Sequence, residues 1–479
     1  MLILAFALCA ASGYLLIAAA LPREKTSSAD SLMRLSLAPG FGLGIFSAVF
    51  FLMRLFGATH FIAVDLSVLV LLALTFWLRG SRRAQACTPA LENADISATA
   101  WVRRVLGASF VVAILALLYN AVVRILAHPH GDGWDAFAIW NLHARFLFLG
   151  GANWRDGFNA IIPWSHPDYP LLLPAAIAHI WSYLGHDDPL VPAIIGLIFT
   201  ISTVGLLVSA LMLLRGLNSA MLGGLALSST PFFVEQGTSQ YADVPLSFFI
   251  LASLVVLHKA YGHADNREPP KSGPLMLSGL AAAFAAWTKN EGLLFFSALI
   301  VAQIWILKRG PRHQSSTPRS GRNWTSLVFL LLGAIPVLAV IAWFKHSVAT
   351  PGDLFSSWAI MLDKILTPAR YGIIVQWLAK EFLRFGSWWL IPGTIALLAF
   401  WVFTFRKLPP ERSHVFQIAV FTLALTFAGY FAVYLVTPRD LYWHLRFSLN
   451  RLFLQFWPSA IFLFFLRSSP QTSPATEPE

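Results

Sequence analysis

The chain has 479 residues, of which 57% are hydrophobic and only 12% are charged. A water-soluble globule cannot bury so much apolar surface, and the composition is typical of a protein that lies in a lipid bilayer. The net charge of +11 does not indicate nucleic acid as a partner, because the basic residues lie in short loops between apolar runs. Cys9 lies in an apolar run and Cys87 in a polar loop, so neither a disulfide framework nor a metal–thiolate site is expected.

Apolar runs recur along the chain, and many of them are long enough to cross a bilayer. About 20 apolar residues span the hydrocarbon core as a helix, which satisfies its backbone hydrogen bonds internally. The sequence therefore predicts an all-α polytopic membrane protein with about thirteen transmembrane helices. The predicted spans are Met1–Leu21, Leu32–Phe56, Phe61–Leu78, Val105–Ala127, Pro189–Leu214, Leu217–Val234, Val244–Leu257, Leu275–Trp287, Leu293–Leu307, Ser326–Phe344, Trp388–Phe405, Val415–Val436 and Leu452–Leu466.

The positions of lysine and arginine predict the orientation of these spans, because both residues are enriched in short cytoplasmic loops. The residues assigned to four cytoplasmic loops are Arg79, Arg82, Arg83, Arg103, Arg104, Lys259, Arg267, Lys271, Lys308, Arg309, Arg312, Arg319, Arg322, Arg406, Lys407 and Arg412. This assignment places the polar and aromatic segment 128–170 outside, provided that Leu171–Tyr183 does not cross completely. That stretch is short and contains Pro174, so we predict an interfacial or re-entrant helix. The other stretches that then lie outside are Glu235–Asp243, Thr288–Gly292 and Lys345–Arg384.

The chain divides into four regions. Residues 1–104 are predicted to form N-terminal spans and a cytoplasmic loop, and residues 105–307 to form a helical module whose first external loop is 128–188. Residues 308–466 form a C-terminal helical region, in which the external segment 345–384 mixes apolar residues with charges as interfacial helices do. Residues 467–479 are rich in Ser, Pro and Thr and are predicted to be a disordered tail.

The first external loop carries two acidic residues, Asp132 and Asp135, before the aromatic-rich stretch Ala136–Leu149, which is predicted to form a helix along the membrane surface. Asp135 suits a helix N-cap, because Asp accepts hydrogen bonds from the first free amides of a helix. It suits equally a carboxylate at the membrane face that takes a proton from an incoming nucleophile.

The same loop continues with the segment WSHPDYP, in which Pro167 and Pro170 flank Asp168 and Tyr169. The prolines by themselves predict a rigid, extended turn. His166 and Asp168 would also suit contacts with a sugar or with a metal ion, and these alternatives stay open.

Charged residues also occur at two other predicted span ends. Asp243, in SQYADVP, is either a helix cap or a functional carboxylate, since carboxylates beside an intramembrane cavity are costly. Lys289 and Glu291, in WTKNEG, interrupt an almost continuous apolar stretch. Lys289 is either a snorkelling lysine or a cation for an anionic head group.

The segment before the last span suggests a phosphate site. His444 and Arg451, in DLYWHLRFSLNR, are seven residues apart and therefore lie on one face of a helix. Arginine on the outer side departs from the usual charge distribution, and Arg binds phosphate with two parallel hydrogen bonds. The sequence contains no Walker loop and no GxGxxG, HExxH or GxSxG motif, which argues against nucleotide chemistry.

The order of these segments resembles the GT-C glycosyltransferases, polytopic enzymes that include protein O-mannosyltransferases and lipid A aminoarabinose transferases. The residues that carry the resemblance are Asp135 in GWDAFAIW, His166–Pro170 in SHPDYP, Asp243 in QYADVP and Lys289 in TKNEG. Many relatives have Asp-Glu at the first position, whereas Ala136 follows Asp135 here. A paired-carboxylate or metal role at Asp135 would therefore require Asp132 as the partner.

The resemblance covers residues 105–307 and implies that they form the catalytic module, with residues 1–104 as accessory spans. It implies a hexosyl or pentosyl transfer, with inversion, from a polyprenyl-phosphate donor to an acceptor hydroxyl outside the cytoplasm of a bacterial inner membrane. It implies Asp135 and Asp243 as catalytic residues and Lys289, Arg446 and Arg451 as cations for the lipid phosphate. The other expected substrate contacts are Asp132, His166, Asp168, Tyr169, Glu291 and His444. No metal ligands are assigned, and a divalent metal ion stays an open alternative.

Two rival functions share the polytopic architecture. A transporter or flippase of a lipid-linked saccharide would also need cations for phosphate, but it should carry ionisable residues at mid-span, where they are scarce here. A structural membrane subunit would leave the external Asp, Lys and Arg residues unexplained. The enzyme is therefore the favoured interpretation, while the sugar and the acceptor are not specified by these patterns.

Overall fold

The described part of the chain is built from helices. The structure is a computed structural model that describes residues 1–21, 27–80, 98–261, 270–309, 320–352, 357–388, 393–395, 397 and 413–467, and no strand occurs among them. The longer helices are α1 (Leu2–Ala20), α2 (Ser28–Phe56), α3 (Phe61–Gly80), α4 (Ala100–Ala127), α5 (Asn141–Leu149), α6 (Leu172–Leu184), α7 (Leu190–Leu214), α8 (Leu217–Ser228), α9 (Pro231–Thr238), α10 (Asp243–Tyr261), α11 (Ser272–Thr288), α12 (Asn290–Arg309), α13 (Ser320–Ser347), α14 (Trp358–Ile365), α15 (Pro368–Arg384), α16 (His414–Val436) and α17 (Leu441–Leu466). The prediction of an all-α polytopic membrane protein is confirmed.

Ten helices in the described residues are long and apolar enough to cross a membrane: α1, α2, α3, α4, α7, α10, α12, α13, α16 and α17. The predicted total of about thirteen is not reached by these residues. Leu275–Trp287 lies within α11, which has only 17 residues. Most of Trp388–Phe405 falls outside the described residues, as does the predicted tail beyond Arg467.

The predicted span Leu217–Val234 is wrong as a single helix. The chain forms α8, ends that helix at Ser228, and begins α9 at Pro231. Proline has no amide hydrogen and suits the first turn of a helix, and it disfavours helical backbone at the residue before it. Thr230 is accordingly extended, with φ −75° and ψ 107°. A count of apolar residues does not register this break.

The stretch Leu171–Tyr183 forms α6, a helix of 13 residues that ends at Gly185 with φ 80°. At this length it is too short to cross a bilayer by itself. Most of its side chains are buried, and it packs against α2 and α5. It therefore forms part of the support beneath the first loop.

Close helix contacts at glycine hold the transmembrane core together. A Cβ atom at Gly42 of α2 would lie 1.8 Å from the carbonyl oxygen of Cys9 in α1. A Cβ atom at Gly279 of α11 would lie 1.9 Å from the carbonyl oxygen of Leu330 in α13. Small residues allow such backbone approach where lipid, instead of water, surrounds the helices. Within this core α10 is the most buried of the ten candidate spans. It therefore provides a rigid support for the candidate site described below.

The segment 345–384, which is predicted to be external, contains α14 and α15. Its residues 353–356 lie outside the described part. Lys364 donates a hydrogen bond of 2.6 Å to the backbone oxygen of Thr437. Arg370 donates to the backbone oxygens of Leu435 and Tyr434 at 3.0 and 2.9 Å. Cations at a helix C-terminus satisfy its free carbonyl groups, so these two residues attach the segment to the end of α16.

Candidate active site

The most buried ionisable group of the site is Asp243, the first residue of α10, whose side chain has no exposed surface. Its Oδ1 atom accepts hydrogen bonds from Lys289 Nζ at 3.0 Å and from Gln455 Nε2 at 2.7 Å. Its Oδ2 atom accepts one from Arg451 Nε at 2.8 Å. A buried carboxylate requires such partners, because removing its charge from water is otherwise prohibitive.

Arg451 joins two carboxylates that come from distant parts of the chain. Its Nη1 atom lies 2.6 Å from Asp135 Oδ2, while its Nε atom bonds Asp243. The guanidinium also lies over the ring of Tyr241, 4.8 Å from the ring centre. The planar guanidinium offers donors in several directions, so one residue can hold both carboxylates.

Lys289 lies between α11 and α12 and contacts Glu291 Oε1 at 2.8 Å as well as Asp243. Burial by itself lowers the pKa of Lys289, but the charges of Asp243 and Glu291 outweigh it and raise the pKa above its usual value. Lys289 is therefore a permanent cation. We refer to Asp135, Asp243, Lys289, Glu291 and Arg451 as the ion cluster; three carboxylates in it face two cations.

The environment of Asp135 differs from that of Asp243. Its side chain is 22% exposed, and it makes no capping hydrogen bond to the following helix. Asp135 Oδ2 is bound by Arg451, whereas Oδ1 makes no hydrogen bond within the described residues. The adjoining hydroxyl of Tyr241 stays protonated, because burial and then the charge of Asp135 raise the pKa of Tyr241 to about 12. Asp135 thus keeps one oxygen accessible to a ligand.

Asp135 is held at the start of an unusual helix. The predicted helix Ala136–Leu149 begins with five π-helical residues, Ala136–Trp140, and continues as α5. Single π-helical turns occur frequently at functional sites. Gly133, with φ 99°, lies against the Tyr241 hydroxyl, where a side chain would collide with it. The local backbone is therefore built around Asp135 and Tyr241.

A second polar group lies beside the ion cluster. Asn290 donates from Nδ2 to Asp168 Oδ2 at 2.8 Å, and its Oδ1 accepts from Lys345 Nζ at 2.8 Å. Lys345 also donates to the backbone oxygen of Asp168 and lies 3.5 Å from its Oδ2 atom. We call Asp168, Asn290 and Lys345 the Lys345 triangle. Because Asn290 stands between Lys289 and Glu291 in the chain, the turn 289–291 contributes residues to both the ion cluster and the Lys345 triangle.

Tyr169 is the centre of an aromatic stack that follows Asp168. Its ring stacks on Trp140 with 5.7 Å between ring centres and on His166 with 4.6 Å. His166 has left-handed backbone geometry, with φ 51° and ψ 65°, which is uncommon for a residue other than glycine. Burial, followed by the charges of Glu291, Asp168 and Asp135, raises the pKa of Tyr169 well above its usual value.

The remaining predicted contacts, Asp132, His444 and Arg446, lie against other residues. Asp132 pairs with Arg124, which is also 3.9 Å from Glu235. His444 Nδ1 lies 2.9 Å from Thr437 Oγ1. Arg446 is exposed over the ring of Phe447, and no hydrogen bond or ion pair joins it to the ion cluster within the described residues.

Several residues that complete the site were not singled out from the sequence. Gln455 follows Arg451 by four positions and therefore shares its helix face, and Tyr430 donates to Gln455 Oε1 at 2.6 Å. Tyr241 and Asn290 are close in sequence to the predicted residues Asp243 and Lys289. That closeness could have identified them as members of the site. Among the described residues, no three His, Cys, Asp or Glu side chains are arranged to hold a metal ion.

Residues 176–350 match the family model for dolichyl-phosphate-mannose-protein mannosyltransferase. The matched range includes Asp243, Lys289, Glu291 and Lys345, while Asp135 and Arg451 lie on either side of it. No curated protein and no solved structure matches the chain. The matched family belongs to the GT-C superfamily, so the resemblance predicted from the sequence is confirmed for this part of the chain: residues 176–350 are similar to a family of GT-C membrane glycosyltransferases.

Proposed function

We propose that the protein transfers a sugar from a polyprenyl-phosphate donor to an acceptor hydroxyl on the extracytoplasmic side of the membrane, with inversion. The proposal rests on one observation: Arg451 holds Asp135 and Asp243 together beside Lys289, and Asp135 keeps one free oxygen. The matched family takes its name from dolichyl-phosphate-mannose, which supports a hexose carried on a polyprenyl phosphate.

Asp135 is the proposed general base. The cluster has one more carboxylate than cations, so a negative charge is left over to attract a proton. In the proposed step, Asp135 accepts the proton of the acceptor hydroxyl as its oxygen bonds the anomeric carbon. The bond from that carbon to the phosphate oxygen breaks on the opposite face, and polyprenyl phosphate leaves with the electron pair. A single displacement inverts the anomeric centre.

Lys289 and Arg451 are the proposed cations for the phosphate. The leaving phosphate gains a negative charge as the bond breaks, and fixed cations stabilise that charge most when water is excluded. Arg451 Nη2 makes no hydrogen bond within the described residues, so it is available to a phosphate oxygen. Asp243 is assigned a positioning role, because both of its oxygens are already occupied. His444 and Arg446 are proposed contacts along the path of approach.

The charge distribution supports the extracytoplasmic side. Asp243 begins α10, whose last turn contains Lys259, and Glu291 lies in the first turn of α12, which ends in Lys308 and Arg309. The ion cluster is therefore at the helix ends opposite to the basic loops. Since Lys and Arg are enriched in cytoplasmic loops, the cluster faces the other compartment. We propose a bacterial inner membrane as its location.

The test compares Asp135→Asn with Glu291→Gln, because Glu291 is also a partly exposed carboxylate with one bound oxygen. The matched control is Asp156→Asn, because Asp156 is an exposed residue of the loop 128–188 that also contains Asp135. Each variant is expressed in cells that lack the protein, its amount in membranes is measured, and lipid and glycan products are followed by mass spectrometry. We expect Asp135→Asn to lower product formation by roughly 100-fold or more, and Asp156→Asn to leave it unchanged.

Three results would contradict this assignment. Full product formation by a folded Asp135→Asn variant would remove Asp135 as the base. A loss confined to Glu291→Gln would transfer that role to Glu291. An unchanged glycan profile in cells without the protein, with altered sidedness of the lipid-linked sugar, would favour a flippase.

A further inference from the structure

The hydroxyl group of Tyr169 has no role in the packing just described. Both of its ring contacts are aromatic, and its hydroxyl makes no hydrogen bond within the described residues. The side chain is half-buried, and no described protein group satisfies the hydrogen-bonding capacity of its hydroxyl. A polar atom fixed in this way is available to a ligand.

The position of the phenol ring is closely defined. Trp140 and His166 stack on it, and Pro167 and Pro170 restrict the backbone on both sides of the Asp168–Tyr169 pair. The Lys345 triangle then fixes Asp168, the residue immediately before Tyr169. Rigid placement by packing and supporting hydrogen bonds is what a substrate-binding group requires.

The charges around the hydroxyl indicate what kind of group it meets. The carboxylates of Glu291, Asp168 and Asp135 and the guanidinium of Arg451 all act on it electrostatically. Three of these four groups are carboxylates, and a neutral sugar carries hydroxyl groups that can donate hydrogen bonds to carboxylates. Because the phenol stays protonated, it can donate to a sugar oxygen and accept from a sugar hydroxyl.

We propose that the Tyr169 hydroxyl binds a hydroxyl group of the transferred sugar, on the carboxylate side of the ion cluster. This inference rests on the proposed function, since it assumes a sugar-bearing donor. It separates two subsites by chemistry: Lys289 and Arg451 bind the phosphate, while Tyr169 and the adjoining carboxylates bind the sugar. Tyr169 would thus determine which sugars are accepted and would leave the affinity for the lipid phosphate unchanged.

The test is the binding of two lipids to purified protein in detergent micelles. One is a short-chain polyprenyl phosphate, and the other is the same lipid carrying a hexose, with mannose, glucose and galactose each tried. Tyr169→Phe removes the hydroxyl and keeps the ring, so the aromatic stack is retained. The matched control is Tyr371→Phe in α15. The hydroxyl of Tyr371 is exposed and donates a hydrogen bond to the backbone oxygen of Ile365 in α14.

We expect Tyr169→Phe to weaken binding of the hexose-bearing lipid by roughly three- to tenfold, the range of one hydrogen bond between uncharged groups. Binding of polyprenyl phosphate should be unchanged, and Tyr371→Phe should bind both lipids as the wild type does. An equal loss for both lipids, or no loss for either, would overturn the role of Tyr169 alone. Wild-type protein that binds none of the hexose-bearing lipids would overturn the proposed donor and this inference together.

Discussion

Arg451 Nη1 lies 2.6 Å from Asp135 Oδ2, although 316 positions separate the two residues in the chain. The contact connects the last helix to the loop that follows α4. Because the same guanidinium bonds Asp243, the base proposed for the reaction and the core of the membrane domain share one partner. Removing that partner should therefore affect both activity and stability.

Arg451→Lys tests this shared role while keeping the positive charge. Lysine carries one compact ammonium group and cannot reproduce the two-directional contact of guanidinium. One carboxylate would lose its partner, so we expect the free energy of unfolding to fall by about 3 kcal/mol or more and product formation to fall by roughly 100-fold. Thermal unfolding in detergent and product analysis measure these effects. Arg103→Lys, at an exposed position of α4, is the control; equal behaviour of the two variants would refute the prediction.

Asp243→Asn and Asp135→Asn should differ in stability even though both remove one charge. The side chain of Asp243 has no exposed surface, while that of Asp135 is 22% exposed. In Asp243→Asn, Lys289 and Arg451 each lose one of their two carboxylate partners, and the amide cannot accept all three of the hydrogen bonds that Asp243 accepts. This loss inside the protein should cost about 3–5 kcal/mol. The Asp135 variant should lose about 1 kcal/mol or less. Comparison of the two thermal midpoints is the measurement, and the reverse order would contradict our view of Asp243 as the structural anchor.

Lys345→Met should lower activity without contact between Lys345 and the ion cluster. The variant keeps the aliphatic stem but removes the cation from Asp168 and the donor from Asn290. Because Asn290 stands between Lys289 and Glu291, a looser turn should misplace both, and we expect roughly a tenfold loss of product formation. Lys345→Arg should restore part of it. Lys271→Met removes an exposed lysine elsewhere as a control. Full activity of Lys345→Met would show that the triangle does not position the site.

His143 should make the protein sensitive to acid. Burial, followed by the charge of His166, lowers the pKa of His143 from its ordinary value of 6.5 to about 3. In the unfolded chain His143 takes up a proton below its ordinary pKa, whereas the folded protein takes it up only near pH 3. The contribution of neutral, buried His143 to the free energy of unfolding is therefore fully present above pH 6.5 and is lost as the pH falls toward 3.

The measurement for this prediction is the thermal midpoint between pH 7.5 and about 4.5. His143→Phe should show a weaker decline over that interval than the wild type, because the variant has no proton to take up there. His60→Phe, at an exposed position, should follow the wild-type curve. Parallel curves for wild type and His143→Phe would rule out His143 as the cause.

The helical architecture and the position of charged residues at span ends follow from hydropathy and from the distribution of Lys and Arg. Asp135, Asp243, Lys289 and Arg451 are each recognisable as charges near the end of an apolar run. Their pairing is not recognisable in the same way, because it depends on how the helices are arranged around one another. A hydropathy profile contains no information about which helices are neighbours in the folded protein.

Other parts of the site are hidden for specific physical reasons. Gln455 and Tyr430 lie within long apolar helices, where an uncharged polar residue barely alters a hydropathy profile. Lys345 follows an apolar run directly, so it resembles an ordinary surface charge until its contact with Asp168 and Asn290 is seen. The break before Pro231 is also missed, because apolar residues continue on both sides of it.

The bridge made by Arg451 also has a consequence for the order in which the protein is made. Lys289 follows Asp243 by 46 positions, and Arg451 follows it by 208. At a synthesis rate of about 5–20 residues per second, Asp243 waits roughly 10–40 s for its second cation. Once Lys289 has been made, it is the only positive partner of Asp243 in the ion cluster for the rest of that interval. Entry of the last helix therefore completes the assembly of the membrane domain and, in the same event, supplies Asp135 with its partner.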